Sequence, residues 1–252
     1  MPVADTPLLI VNADDLGWNR PTTDATLEAF RAGRITSATA LMYMADSERA
    51  AELALEVGLP VGLHLNLTDP FDGEAPATVR ERQMRAVRHF GAPATVWRSR
   101  RWLYDPRARQ STAEAIADQF ERFREVFGRE PTHFDGHNHV HLCPDVALSL
   151  PPGVKVRTAL GIRGKGMRGR LLRARQRLTL RDRLTTRHFF NITAMHPEFV
   201  VGGPRALLEK AARSSVEVMA HPGFGHEFSL LMAPEWERAI EGLAAGSYLD
   251  LR

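Results

Sequence analysis

Cysteine is nearly missing from this chain, with one residue, Cys143, among 252. No intramolecular disulfide can form, and a cysteine-ligated zinc site is excluded. Cys143 stands beside Pro144 with no local base, so it reads as a small buried residue and not as a nucleophile. Long apolar runs are missing too: nothing approaches the ~18 residues that a membrane span requires. The start, MPVADTPLLIVNADD, lacks the basic residues and apolar stretch of an export leader. A cytoplasmic protein is the expectation. No glycine-rich phosphate loop follows the first strand-like run, which argues against a dinucleotide site. No internal repeat or low-complexity tract is present.

What the chain does have is enough apolar material, 44% hydrophobic against 25% charged, to bury a sizeable core. A length of 252 residues suits a single α/β barrel domain of ~250. The formal charge of +3 is unevenly spread. Between Arg163 and Arg187 ten Lys or Arg face one acid, Asp182, which leaves 23 basic against 29 acidic residues elsewhere. The basicity therefore belongs to one insertion, at about 161–187. It reads as a solvated arginine-rich helix or as a lid that attracts an anionic group on a substrate. It lacks the interleaved aromatics of a nucleic-acid binder, so no nucleic-acid partner is expected. Leu171, Leu172 and Leu178 offer an apolar edge for a membrane surface or a partner subunit, which leaves a homo-oligomer open.

Strand-like and helix-like segments alternate. LLIVN (8–12), ITSATALMYM (35–44), THFD (132–135), VKVRT (154–158), HFFNIT (188–193) and VEVMA (216–220) read as strands. PVGLHLNLT (60–68) alternates strictly, with Val61, Leu63, Leu65 and Leu67 on one face and Gly62, His64, Asn66 and Thr68 on the other. Helices are expected over 25–33, over 47–57 with Asp46 or Ser47 at its start, around 204–213 and around 234–245. A further helix carries Ile116, Phe120, Phe123 and Phe127, with Ser111 and Glu114 as a capping box. Residues 70–110 show weak periodicity and read as long loops with at most a short helix. About seven parallel strands alternating with helices predict an α/β fold, a distorted (β/α) barrel forming one domain over 1–252.

The chain's ten histidines are not evenly placed, for four fall in HFDGHNHVH (133–141). If extended, the stretch would point His133, Asp135, His137, His139 and His141 to one face, as a divalent-metal site requires. The stretch is internal and interrupted, which argues against an expression tag. Barrel active sites sit at the C-terminal strand ends. Those ends carry Asp14 and Asp15, His64, the 135–139 group and His221. One such residue is more often a structural histidine or a helix cap; four strand ends agreeing are harder to dismiss. Adjacent aspartates face opposite ways in extended chain, so one can bind a metal while the other accepts a proton. Two imidazoles and one carboxylate leave a metal open positions for water and substrate, the setting for metal-assisted hydrolysis of an amide or ester.

LLIVNADDLG, VGLHLNLT, PTHFDGHNHVHLCP and EVMAHPG occur in the order of the signature segments of the YdjC/ChbG carbohydrate deacetylases, and the chain resembles that family over both halves. The resemblance implies a β/α barrel, one divalent ion (magnesium or zinc), and removal of acetyl groups from N-acetylated sugars or glycoconjugates. Carried over by motif, the metal ligands are Asp15, His64 and His137. Asp14 is the general base and His221 the general acid; His139, His141, Asn66, Arg157 and Trp102 become substrate or outer contacts. His133 and Asp135 are read as structural or supporting. Two positions depart from the family pattern: Leu16 stands where it has Phe, and Asn138 interrupts a histidine run. Neither touches a proposed ligand, but both leave the acceptor sugar open.

Two rival readings remain. One is a metal hydrolase of another amide, ester or phosphoester. The other is a non-catalytic anion- or nucleic-acid-binding protein built on the arginine segment, for which a retained base has no use. Trp97, Trp102 and Tyr104 are candidate sugar-stacking residues in the long loop.

Overall fold

The computed structural model describes residues 6–91, 104–158, 170, 174–176, 178–195 and 209–252. Trp97, Trp102, Leu171 and Leu172 lie outside the described residues, as do part of the basic insertion and the first half of the helix expected around 204–213.

Six strands form one sheet: β1 (Leu8–Leu16), β2 (Ser37–Ala40), β3 (Val61–Leu65), β4 (Phe134–Gly136), β5 (His188–Asn191) and β6 (Ser215–Ala220). Their order is β4-β3-β2-β1-β6-β5 and every pairing is parallel. The sheet curls into an incomplete barrel, α/β as expected, but with six strands among the described residues and not seven. The segment expected as a strand at 154–158 contributes only single bridges, Phe134↔Val156 and Lys155↔Leu184. The Arg157 N–H donates to the Phe134 carbonyl at 3.0 Å, and its side chain faces inward to meet carboxylates.

Helices α1 (Arg20–Arg31), α2 (Ser47–Glu56), α3 (Ala77–Phe90), α4 (Arg109–Phe127), α5 (Pro144–Ser149), α6 (Gly225–Met232) and α7 (Pro234–Ile240) follow in chain order. Asn19 caps α1 by accepting from the Thr22 N–H at 2.9 Å, so this helix starts earlier than its periodicity suggests. The capping box expected at Ser111 does not form. Helix α4 begins at Arg109, Ser111 lies inside its first turn, and its hydroxyl donates to the Ala108 carbonyl. Helix α3, in the stretch read as loops, buries Val79, Gln83, Ala86 and Phe90. On α4 the expected apolar stripe is core: Ile116, Phe123 and Phe127 are buried.

Strand β3 shows how the fold makes a site. Its aliphatic residues Val61, Leu63 and Leu65 join the main core. The opposite face, Gly62 and His64, is equally buried but polar. Gly62 is required there, because a Cβ would lie 2.5 Å from His133 Nδ1. Inside the curled sheet, polar side chains thus stack in layers: His133 over Gly62, and Asp135 beside His64.

Candidate active site and metal centre

The site begins with an irregularity in β1. Its register against β2 shifts between Ala13 and Leu16, and Asp15 adopts φ +68. A left-handed non-glycine residue costs about 1–2 kcal/mol, a strain that clusters at functional sites. Regular extended chain would send Asp14 and Asp15 to opposite faces. Here each has a carboxylate oxygen within 4.8 Å of a His64 ring nitrogen.

Asp15, His64 and His137 come from three separate segments and converge. Asp15 Oδ1 lies 3.2 Å from His64 Nε2 and 2.9 Å from His137 Nδ1. The second nitrogen of each ring also faces a carboxylate: His64 Nδ1 is 2.6 Å from Asp135 Oδ1, and His137 Nε2 is 3.5 Å from Asp69 Oδ2. The donor count tests whether a cation fits. A neutral His64 that donates its Nδ1–H to Asp135 presents a lone pair at Nε2. A lone pair facing the Asp15 oxygen is repulsive unless a proton or a cation stands between them. A divalent ion meets that need, and carboxylate-backed imidazoles are the usual support of such ions. The residues fit a metal.

Without a cation the same geometry polarises the histidines. Burial would lower the pKa of His64, but the Asp135 carboxylate and then Asp15 and Asp14 override it and raise it to about 10. Burial likewise works against ionised Asp15, yet hydrogen bonds from His137 and His64 hold its carboxyl well below the usual range.

Asp14 faces the other way. Both its oxygens accept from Arg157, at 2.6 Å each, and Asn12 adds a third hydrogen bond at 3.0 Å. Burial opposes ionisation of Asp14, and the Arg157 guanidinium outweighs it, so the carboxyl is held far below its ordinary value. Arg157 is itself fully buried and also reaches Asp135 Oδ2 at 2.8 Å and Glu217 Oε1 at 2.7 Å. One guanidinium therefore fixes both Asp14 and the carboxylate that orients His64. His221 Nε2 stands 4.0 Å from Asp14 Oδ2. Its Nδ1 and backbone N–H both lie against Glu227 Oε2, at 3.1 and 2.6 Å. Burial would lower the His221 pKa; Glu227 and then Asp14 raise it.

The family model of the YdjC-like protein matches residues 8–242. The chain belongs to the YdjC-like family. A chitooligosaccharide deacetylase of Yersinia pestis (strain Pestoides F) is 33% identical to it over 285 residues, covering 96% of this chain and 98% of the relative. One from Yersinia pseudotuberculosis serotype O:1b (strain IP 31758) matches to the same extent. A crystal structure from Enterococcus faecalis V583, named for cellobiose-phosphate cleavage, superposes with a TM-score of 0.72 at 22% identity, over 98% of this chain and 99% of that one. The Xyl-CE4 domain of a termite-hindgut xylanase gives a TM-score of 0.51 at 8% identity, over 98% and 90%. These two likenesses show the fold.

The histidine-rich stretch of this YdjC-like chain is not one extended row. Only β4 is extended; 137–142 form 3-10 turns, with Asn138 and His139 at φ +54 and +55. The turn carries His137 to Asp15 and sends the other imidazoles elsewhere. His133 stacks on Tyr248 with ring centroids 3.7 Å apart. His141 is fully buried, with neither ring nitrogen hydrogen-bonded among the described residues. Asn66 accepts from the Thr68 and Asp69 N–H groups, so its side chain shapes the turn that presents Asp69 to His137. Arg157, expected as a substrate or outer contact, is placed behind Asp14 by its complete burial. Leu16, which stands where the family has Phe, is fully buried in the core. Asn138 donates to the Thr68 hydroxyl at 3.1 Å.

Several partners escaped the sequence reading. Glu217 sits in the apolar run VEVMA, where a lone acid in a strand was the available signal. Glu227, Asp69 and Thr39, whose hydroxyl donates to Asp135 Oδ2 at 3.1 Å, carried none, since only the fold brings them in. Within the basic insertion, Arg175 and Arg183 donate to the Leu142 and Leu150 carbonyls, and Leu150 closes α5. These two arginines serve structure. Among the described residues, no helix is long and apolar enough to cross a membrane.

Proposed function

We propose that this chain is a divalent-metal-dependent N-deacetylase of N-acetylated carbohydrates, with chitooligosaccharides, oligomers of N-acetylglucosamine, as the first class to test. The observation that carries the reading is the division of labour across β1. Asp15 joins two carboxylate-backed imidazoles, while Asp14 faces a guanidinium and a third histidine. The name shared by the 33% identical relatives supports the substrate class.

Asp15, His64 and His137 would hold the ion. Two imidazoles and one carboxylate suit zinc, the better match of the two expected metals, since magnesium prefers all-oxygen surroundings. Such an ion polarises a carbonyl oxygen and lowers the pKa of water. Asp14 is the general base: ionised under the field of Arg157, it takes a proton from the attacking water at Oδ2. His221 is the general acid. Glu227 holds its Nδ1 side, leaving Nε2 to protonate the departing amine nitrogen, and its raised pKa keeps a proton available. Arg157 positions the base and touches no substrate.

The test is acetate release from a panel of N-acetylglucosamine oligomers, with and without chelator. The reading expects release that stops on chelation and returns with added zinc or magnesium. A purified protein that binds no divalent ion and releases no acetate from any member overturns it.

A further inference from the structure

An exposed aromatic stands at the edge of the candidate site without a function so far. Phe224 follows the strand end that supplies His221 and is 53% exposed, among the most exposed large apolar side chains described. Its ring lies 5.3 Å from that of His221, tilted by 41°. His226, also exposed, presents a nearly parallel ring to Phe224, with centroids 6.2 Å apart and 10° between planes.

The backbone beneath this ring is fixed. Phe224 N–H closes a turn onto the His221 carbonyl at 2.9 Å, and its own carbonyl accepts from Phe228 at 2.9 Å, opening α6. The turn is pressed against α1: a Cβ on Gly223 would meet Thr22 Oγ1 at 2.5 Å. An exposed phenyl ring on a rigid turn presents a standing aromatic face to whatever enters beside His221. The electron-rich face of an aromatic ring attracts the C–H bonds on the apolar side of a pyranose. Preorganised rings give contact area at little entropic cost.

We propose that Phe224, extended by His226, is a sugar-stacking subsite for the unit next to the one being deacetylated, so that oligosaccharides are preferred over the monosaccharide. The inference rests on the carbohydrate deacetylase reading and deepens it by assigning a specificity residue. The subsite contacts the neighbouring unit, not the reacting acetamide, so it acts through binding. Phe224 therefore controls KM for oligomers.

The test compares wild type, Phe224→Ala, Phe224→Trp and the remote exposed-residue control Leu55→Ala. The substrates are the N-acetylglucosamine trimer and monosaccharide. Phe224→Ala is expected to lower the trimer-to-monosaccharide ratio of kcat/KM about tenfold, through KM, with an unchanged melting temperature; Phe224→Trp is expected to keep the ratio. A parallel calorimetric titration of chelated protein with trimer reads binding without turnover and is expected to show the same tenfold weakening. If wild type releases acetate but Phe224→Ala binds and turns over the trimer as wild type does, the subsite is overturned and the deacetylase reading stands. A fall in ratio that Leu55→Ala shares also overturns it. If wild type neither binds the trimer nor releases acetate from it, the substrate reading fails and the subsite falls with it.

Discussion

Five histidines around the candidate site form two populations, and their neighbours separate them. His64 and His221 face carboxylates. Burial disfavours their charged forms, yet Asp135 and Asp15 for one, and Glu227 and Asp14 for the other, raise both pKa values. His133, His139 and His141 are driven down, first by burial. His139 reaches about 4. Arg157 adds to the lowering of all three, and for His141 the neighbouring His139 contributes more. The same residue type thus stands among carboxylates on one side of the buried network and within the field of a guanidinium on the other. A local excess of histidine does not by itself mark the ligands; the sign of the nearby buried charges separates the two populations.

Arg157→Met breaks the comparison most completely. It strands Asp14, Asp135 and Glu217 in the interior and removes a cation that adds to the lowering of three histidines. Losing one partner of a buried ion network costs about 3–5 kcal/mol, and chemical denaturation should show that loss. A change below about 1 kcal/mol would mean the network is not what holds the inner layer together.

Asp14→Asn removes one of the carboxylates that raise His64 and His221. It is expected to lower kcat by roughly 10²–10⁴-fold, the range for a lost general base, with metal content unchanged. It also removes a carboxylate that raises His221, so the residual pH profile should shift its histidine limb to lower pH. Wild-type kcat in this variant would remove the base assignment.

His139→Gln sharpens the neutral side with the smallest effect. An unfolded histidine takes up its proton below about 6.5, whereas folded His139 does so only near pH 4. In that window the unfolded state binds more protons, so stability falls as pH falls and the loss from this group is complete near pH 4. Denaturation midpoints of chelated protein at pH 7 and 4.5 should therefore differ less in His139→Gln than in wild type. An equal difference would contradict a neutral His139.

Much of the site was legible in the sequence because its residue types sit at strand ends. NADD, GLH and AHPG each follow a short apolar run, and strict alternation in 61–68 assigns His64 to the polar face. What could not be read came from departures from regular geometry. The left-handed Asp15 and the register shift decide where adjacent aspartates point. The turn at Asn138 and His139 breaks a row that period-two reasoning keeps straight. Arg157 lies on a segment paired only by single bridges, and its partner Glu217 lies on a strand distant in sequence. Long-range ion pairs leave no trace in local periodicity.

The central claim is that Asp15, His64 and His137 hold the ion while Asp14 does not. Metal stoichiometry and affinity, read by elemental analysis and titration calorimetry, test it directly on wild type, His64→Ala and Asp14→Asn. One tightly held divalent ion per chain is predicted in wild type and Asp14→Asn, and none in His64→Ala. Full stoichiometry at wild-type affinity in His64→Ala, or loss of the ion in Asp14→Asn, would contradict the account.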